Sequence, residues 1–175
     1  MKPIRHLFTT FALGLLLLLA GPAALAAEPT ENQLKAALLY KFAQFTTWPT
    51  PAAEAFNICV LGENPFGEEL DSLKKKTLRD QPVDVIYLTA PDAARNCHLV
   101  YLNPPDRRQL TRWMEMLKSR PILTVSDDQD GWREGVMIVF EVEPNGVKFN
   151  VNLTAARAAN FSISAQMLKL AREVR

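Results

Sequence analysis

The sequence predicts an α/β fold: a doubly wound, mostly parallel sheet of about six strands, with an antiparallel C-terminal hairpin and helices on both faces. Two observations predict it. Short apolar runs alternate with amphipathic stretches of helical period, which is typical of a parallel sheet covered on both faces. Near the end of the chain this alternation gives way to two strand-like segments joined by Pro144-Asn145-Gly146, and Asn-Gly is a strong signal for a tight hairpin turn.

Residues 1–26 have the three parts of a secretory signal peptide. Lys2 and Arg5 supply the positive start, residues 8–20 the apolar run, and Ala24-Leu25-Ala26 the small residues that a signal peptidase accepts. The apolar run is shorter than the roughly 20 residues that a spanning helix needs. We therefore expect cleavage after Ala26 and one α/β domain over residues 27–175 in the periplasm. An uncleaved anchor is the alternative.

The charge balance argues against two classes of partner. Once Lys2 and Arg5 are removed, the acidic and basic residues nearly balance. A nucleic-acid or anionic-membrane surface would need a basic excess. No later apolar stretch approaches spanning length. We expect no nucleic-acid partner and no direct membrane insertion after cleavage.

The first predicted helix covers about residues 31–46. Thr30 and Gln33 fit a capping box, in which each side chain accepts a hydrogen bond from an unpaired backbone amide of the other. The predicted buried stripe recurs at helical spacing and consists of Leu34, Leu38, Phe42 and Phe45. The helix should end before Trp48-Pro49, because the residue that precedes a proline is disfavoured in the α region.

The middle of the chain alternates between predicted strands and predicted helices. Apolar runs predict strands at residues 56–61, 83–88, 99–102 and 122–125. Helical segments are predicted at about residues 65–75, 90–95 and 106–118, and the last of these has Leu110, Trp113 and Leu117 on one face.

The predicted hairpin pairs residues 136–143 with residues 147–152. Phe140 and Val142 alternate with charged residues in the first strand, and the second strand alternates in the same way, so we expect one buried face. A last helix is predicted at about residues 164–172.

The two cysteines, Cys59 and Cys97, lie inside the first predicted strand and just before the third. In a doubly wound sheet of order 2-1-3-4 these strands are neighbours. Neighbouring strands lie about 4.8 Å apart, within the Cα separation that a disulfide requires. The spacing of the two strands therefore allows a Cys59–Cys97 disulfide, and an oxidising compartment would favour its formation. Two separate buried thiols are the alternative.

Signatures of catalysis and metal binding are missing from the predicted mature chain. His98 is its only histidine, and it adjoins Cys97 on a predicted strand, where successive side chains point to opposite faces. One histidine and two cysteines cannot form an ordinary structural zinc site without carboxylates. We therefore predict that the protein is not an enzyme and that it has no metal or cofactor.

A small-ligand site is the alternative functional hypothesis. Residues 62–67 follow a predicted strand and precede a predicted helix, but they lack the phosphate-loop and dinucleotide patterns, so a plain turn is favoured. The segment nevertheless lies at the carboxyl edge of the predicted sheet, where ligands bind in such folds. A periplasmic small-ligand sensor would use a pocket near Gly62 to Pro65.

Several segments together resemble the YfiR family of periplasmic proteins. In order along the chain they are Leu38–Phe42, Phe45–Pro49, Phe56–Gly62, Arg120–Ser126, Gly135–Phe140, Phe149–Leu153, Ala156-Arg157 and Ile163–Ala171. The resemblance covers nearly all of the predicted mature chain.

The resemblance implies a regulator that is not an enzyme. Similar proteins bind the periplasmic sensory domain of an inner-membrane diguanylate cyclase and repress it, which lowers cyclic di-GMP and biofilm formation. Sequestration on an outer-membrane lipoprotein or redox damage releases the cyclase, and a homodimer is also implied. The resemblance further implies a disulfide between Cys59 and Cys97. A second cysteine pair of the family, which would fall in residues 132–139, is missing here, so redox control through that pair is not expected.

Five residues are candidates for binding a partner or ligand: Trp48, Pro49, Trp132, Asn152 and Arg157. Trp48-Pro49 belongs to the family-like motif, and Trp132 is an aromatic residue in a polar loop. Each has a structural alternative. Trp48 could anchor the first helix to the sheet, Trp132 could be tucked under, and Asn152 and Arg157 could cap the last helix and hold the hairpin.

Overall fold

The computed structural model describes residues 28–50, 54–118 and 120–175, so the predicted signal peptide at residues 1–26 lies outside the described residues. The helices are α1 (Glu31–Phe45), α2 (Arg107–Leu117), α3 (Gly131–Glu134), α4 (Leu153–Ala158) and α5 (Ala165–Leu170), with 3-10 helices at Glu69–Lys75 and Pro91–Asn96. The strands are β1 (Thr46–Thr47), β2 (Phe56–Gly62), β3 (Thr77–Leu78), β4 (Gln81–Leu88), β5 (Leu99–Asn103), β6 (Leu123–Ser126), β7 (Ile138–Glu143), β8 (Gly146–Val151), β9 (Ser162–Ile163) and β10 (Glu173–Val174).

The main sheet is mixed and has eight strands in the order β10-β8-β7-β6-β5-β2-β4-β3. Strands β4, β2, β5, β6 and β7 are parallel to one another, whereas β8 is antiparallel to β7. The α/β class and the antiparallel hairpin are confirmed, and so is the 2-1-3-4 order of the first four predicted strands. The predicted number of about six strands is wrong. The additional strands β3 and β10 have two residues each, too few to show an apolar period.

The two faces of the sheet are covered by different helices. Ile58 and Val60 of β2 belong to the apolar cluster that includes α1, whereas Cys59 and Leu61 belong to the cluster that includes α2. Successive side chains of a strand point to opposite faces, so these two clusters are the two sides of the sheet. Helices on both faces are therefore confirmed.

Helix α1 has the predicted capping box, but its buried face differs from the prediction. The Thr30 hydroxyl accepts from the Gln33 amide (3.2 Å), and the Gln33 side chain accepts from the Thr30 amide (3.1 Å). Of the predicted stripe only Phe42 is fully buried, and the buried residues are Lys35, Ala36, Leu39, Phe42 and Ala43. Ala36 and Ala43 are buried in the core, whereas Leu34, Leu38 and Phe45 are only partly buried.

Three further predictions needed correction. The helix predicted at residues 65–75 is a 3-10 helix that begins at Glu69, and the predicted last helix ends at Leu170 because β10 then pairs with β8. Helix α4 is an additional element that was not predicted. Val142, predicted on the buried face of the hairpin, is 49% exposed, because it lines an open hollow between the hairpin and the start of α1.

A second, two-stranded sheet joins the end of α1 to the C-terminal region. Strand β1 pairs antiparallel with β9, and Thr46 lies opposite Ile163. Arg79, in the positive-φ turn between β3 and β4, donates to the Thr46 carbonyl oxygen and lies 6.0 Å from the Trp48 ring. These contacts position the Trp48-Pro49 segment beside the amino ends of the parallel strands.

Candidate functional site

Cys59 and Cys97 form a disulfide, with their Cα atoms 5.9 Å apart and both side chains buried. The neighbouring strands β2 and β5 bring them together, since Ile58 lies opposite Leu99. The bond spans a sequence separation of 38 residues. Closing a loop of that length stabilises a fold by about 4 kcal/mol on the chain-entropy estimate. The predicted pairing is confirmed.

Trp48 anchors the end of α1 to the sheet. Its side chain is buried, its Nε1 donates to the His98 carbonyl oxygen (3.0 Å), and its ring packs edge-on against Phe56 (4.9 Å) and Phe161 (5.6 Å). A side chain held in this way presents little surface to a partner. The contacts match the structural alternative that the sequence left open for Trp48.

His98 accepts a hydrogen bond from the backbone of the neighbouring strand β2. Its Nδ1 accepts from the Asn57 amide (3.0 Å), and its ring stacks on Phe56 at 4.9 Å. Burial lowers the pKa of His98 below its ordinary value. The ring is therefore neutral at pH 7, with its proton on Nε2.

Asn152 directly precedes α4, and Arg157 lies within it. Asn152 is buried and caps the helix, because its Oδ1 accepts from the Ala155 amide (3.0 Å), and its own amide donates to the Met137 carbonyl oxygen (2.8 Å). Asn152 thus joins β7 to α4, whereas the sequence offered capping of the last helix as its structural role. Arg157 lies in the last turn of α4 and is exposed.

Trp132 is covered by the C-terminal segment of the same chain. The guanidinium of Arg175 lies 4.1 Å from the centre of the Trp132 ring and donates to the Trp132 carbonyl oxygen. The indole is half-buried. The residue that covers the indole, Arg175, lies 43 residues further along the chain.

Of the five candidates, Pro49 and Arg157 are exposed and lie beside or on α4. At one end of α4, the Thr154 amide donates to the backbone oxygen of Arg175 (3.0 Å), the residue that covers Trp132. At the other end, exposed Pro49 lines a hollow with Ala158, Ala159 and Asn160. We call Pro49, Arg157 and Asn160 the α4 surface. Trp48 and Asn152 are buried.

The sequence analysis missed an ion-pair cluster around a buried lysine at the carboxyl edge of the sheet. The Lys35 side chain, only 4% exposed, lies 2.6 Å from the Glu31 carboxylate and 2.7 Å from that of Asp127. Burial acts to lower the pKa of Lys35, but the hydrogen bonds and charges of Asp127 and Glu31 outweigh it, and the pKa is raised. The cluster ties α1 to the end of β6. The available signal was a lysine among apolar positions of an amphipathic helix, four residues after a glutamate.

Tyr101 lies beneath this cluster. Its ring packs edge-on against Phe66 at 4.7 Å, and its buried hydroxyl lies close to the Asp127 carboxylate. Burial, with the nearby Asp127 charge, raises the pKa of Tyr101. The hydroxyl is therefore protonated at neutral pH.

The turn proposed for a small ligand is filled by the protein's own atoms. Gly62 has φ +102°, and a Cβ there would lie 2.2 Å from the Asn103 carbonyl oxygen, so only glycine fits. The Asn32 side chain donates to the Pro65 carbonyl oxygen (2.7 Å) and holds the turn against α1. This packing favours the plain turn over a pocket at Gly62 to Pro65.

No helix among the described residues has the length and apolar character needed to cross a membrane. The family model of the YfiR/HmsC-like proteins, DUF4154, matches residues 32–172, from the first turn of α1 to the residue before β10. This match supports the general class of function that the resemblance implied, a periplasmic regulator of cyclic di-GMP signalling. Because the match covers most of the sequence, and every element from α1 to α5 contributes to it, the chain belongs to the YfiR/HmsC-like family.

Proposed function

We propose that the protein is exported by its signal peptide to the periplasm, binds the periplasmic sensory domain of an inner-membrane diguanylate cyclase and represses that enzyme. Repression lowers cyclic di-GMP and biofilm formation. The observation that carries the proposal is the family match over residues 32–172. In this account the protein has no catalytic activity and needs no cofactor.

Repression works by a population shift. A regulator can silence a cyclase only if it binds the inactive state of the enzyme more tightly than the active state. Reversing a 99:1 preference for the active state requires a difference in affinity of about 10⁴-fold. The protein must therefore discriminate between two arrangements of its partner, which a rigid surface does better than a mobile one.

The α4 surface is the proposed contact region. Pro49 and Arg157 are exposed there, and buried residues hold both in place: Trp48 fixes the segment before Pro49, and Asn152 caps the helix that carries Arg157. An exposed guanidinium on a fixed helix recognises a partner carboxylate with defined geometry. An outer-membrane lipoprotein that competes for the regulator, and a homodimer of the regulator, are part of the same proposal.

Deletion of the gene tests the proposal in a host that expresses the partner cyclase. We expect the deletion to raise cyclic di-GMP and the wild-type gene to lower it to its original level. Complementation with Arg157→Glu should lower it only slightly. Arg112→Glu, a matched charge reversal at an exposed arginine of α2, should lower it as far as the wild-type gene does. Unchanged cyclic di-GMP in the deletion strain would refute the repression, and equal rescue by both variants would refute the role of the α4 surface.

A further inference from the structure

The C-terminal strand β10 covers the edge of β8 with very little burial. It pairs parallel with β8, Glu173 opposite Asn150 and Val174 opposite Val151, and it is the outermost strand of the main sheet. All four residues from Arg172 to Arg175 are exposed. Backbone hydrogen bonds and charges therefore hold this segment, and no core packing does.

Two arginines of the segment meet complementary groups. The Arg172 guanidinium lies 3.0 Å from the Glu141 carboxylate and also pairs with Glu143, and the Arg175 guanidinium covers the Trp132 ring at 4.1 Å. Carboxylates and an indole face both favour a cation. Beneath residues 172–175 the protein thus presents an open strand edge flanked by two sites for positive side chains.

We propose that this edge is a docking surface for an extended, basic segment of a partner protein. The β8 surface, as we call it, consists of the β8 edge with Glu141, Glu143 and Trp132. Its ligand adds a strand to the sheet and places two cationic side chains three residues apart, as Arg172 and Arg175 do. In the free protein, residues 172–175 occupy the surface and are displaced on binding.

The chain's own segment shows what the surface accepts and why it is covered. An uncovered strand edge invites pairing with other chains, so a weakly held strand in the same chain protects it. Such a strand acts at a high effective concentration, and a partner must bind better than it does in order to replace it. We infer that the partner is the membrane cyclase, and this identification rests on the proposed function.

Hydrogen exchange on the unmodified mature chain tests whether the segment opens. The amides of Arg172, Arg175 and Thr154 donate across this contact, to Phe149, to Val151 and to Arg175 respectively. We expect them to exchange at least roughly a hundredfold faster than the amides of the β7–β8 ladder, because they open locally. Exchange at the rate of that ladder would overturn the inference, since the surface would never be free.

Peptide binding tests what the surface accepts. The full mature chain carrying Arg172→Ala and Arg175→Ala is titrated with a peptide of residues 170–175, and the NMR signal of the Trp132 indole is followed, assigned with Trp132→Phe. We expect saturable binding, at least tenfold tighter than that of the same peptide with both arginines replaced by alanine. Lys169→Ala, a loss of charge at an exposed position of α5, should leave the surface covered and bind no peptide.

Absence of saturation, or equal binding of the two peptides, would overturn the inference. Neither experiment contains a cyclase. A failure here therefore leaves the proposed repression intact, and a failure of the repression leaves the β8 surface intact.

Discussion

At the scale of single residues, Lys35 shows how an internal charge can fix a helix to a sheet. Its ammonium group lies between Glu31 of the same helix and Asp127 at the end of β6. We predict that Lys35→Met destabilises the protein by about 2 kcal/mol, because the variant leaves two partly exposed carboxylates facing each other without a cation. Denaturant unfolding measures the loss. Lys41→Met, at an exposed position of α1, should cost less than about 0.5 kcal/mol, and equal costs would contradict the account.

His98 gives the protein a pH dependence of known sign. Burial lowers the pKa of His98 below 6.5 in the folded state, so the unfolded chain binds the proton more readily. Stability contributed by neutral His98 is therefore present above about pH 6.5 and is lost as the pH falls through the folded pKa. We predict that His98→Asn, whose amide oxygen can accept from Asn57, loses less free energy of unfolding than the wild type between about pH 7.5 and pH 5. Identical pH profiles would contradict this assignment.

Sequence reasoning worked at single residues when partners were close in the chain or fixed by strand order. The Thr30 capping box is local, and the Cys59–Cys97 bond follows from the order of two strands. Trp132 illustrates the limit, because nothing near it in the sequence indicates that Arg175 covers it. Lys35 illustrates another limit, since its position in α1 does not reveal the carboxylate of Asp127.

At the scale of elements, α4 depends on its N-cap. Asn152 accepts from the Ala155 amide and is buried at the junction with β8. We predict that Asn152→Ala costs about 1 kcal/mol in thermal or denaturant unfolding, and that Asn152→Ser, which keeps an acceptor for the cap, restores most of it. Weaker capture of the partner by Asn152→Ala at unchanged stability would instead make Asn152 a contact residue.

Elements with a strong period were predictable, and short elements that depend on tertiary contacts were not. The buried face of α2 is the predicted one, because Leu110, Trp113 and Leu117 recur at helical spacing among mostly polar residues. Between Leu34 and Phe45 only three of the twelve positions of α1 are polar, so the period alone could not choose between neighbouring stripes. Strands β1, β3, β9 and β10 have two residues each and exist only because a partner strand lies beside them.

At the scale of the whole molecule, the disulfide joins two neighbouring strands in the middle of the sheet. We predict that replacing Cys59 and Cys97 together by alanine lowers the free energy of unfolding by about 4 kcal/mol, from the loop that the bond closes. Reduction of the wild type should cost about the same, and denaturant unfolding measures both. A loss below about 1 kcal/mol in both cases would contradict the entropic account.

The most direct test of repression through a membrane cyclase is capture of the partner. The mature domain, residues 27–175, is immobilised and used to recover proteins from the solubilised membranes of its host, oxidised and reduced in parallel. The account predicts recovery of a membrane diguanylate cyclase, weakened by Arg157→Glu and not by Arg112→Glu. Recovery of no diguanylate cyclase in either redox state, from membranes that contain one encoded beside this gene, would contradict it.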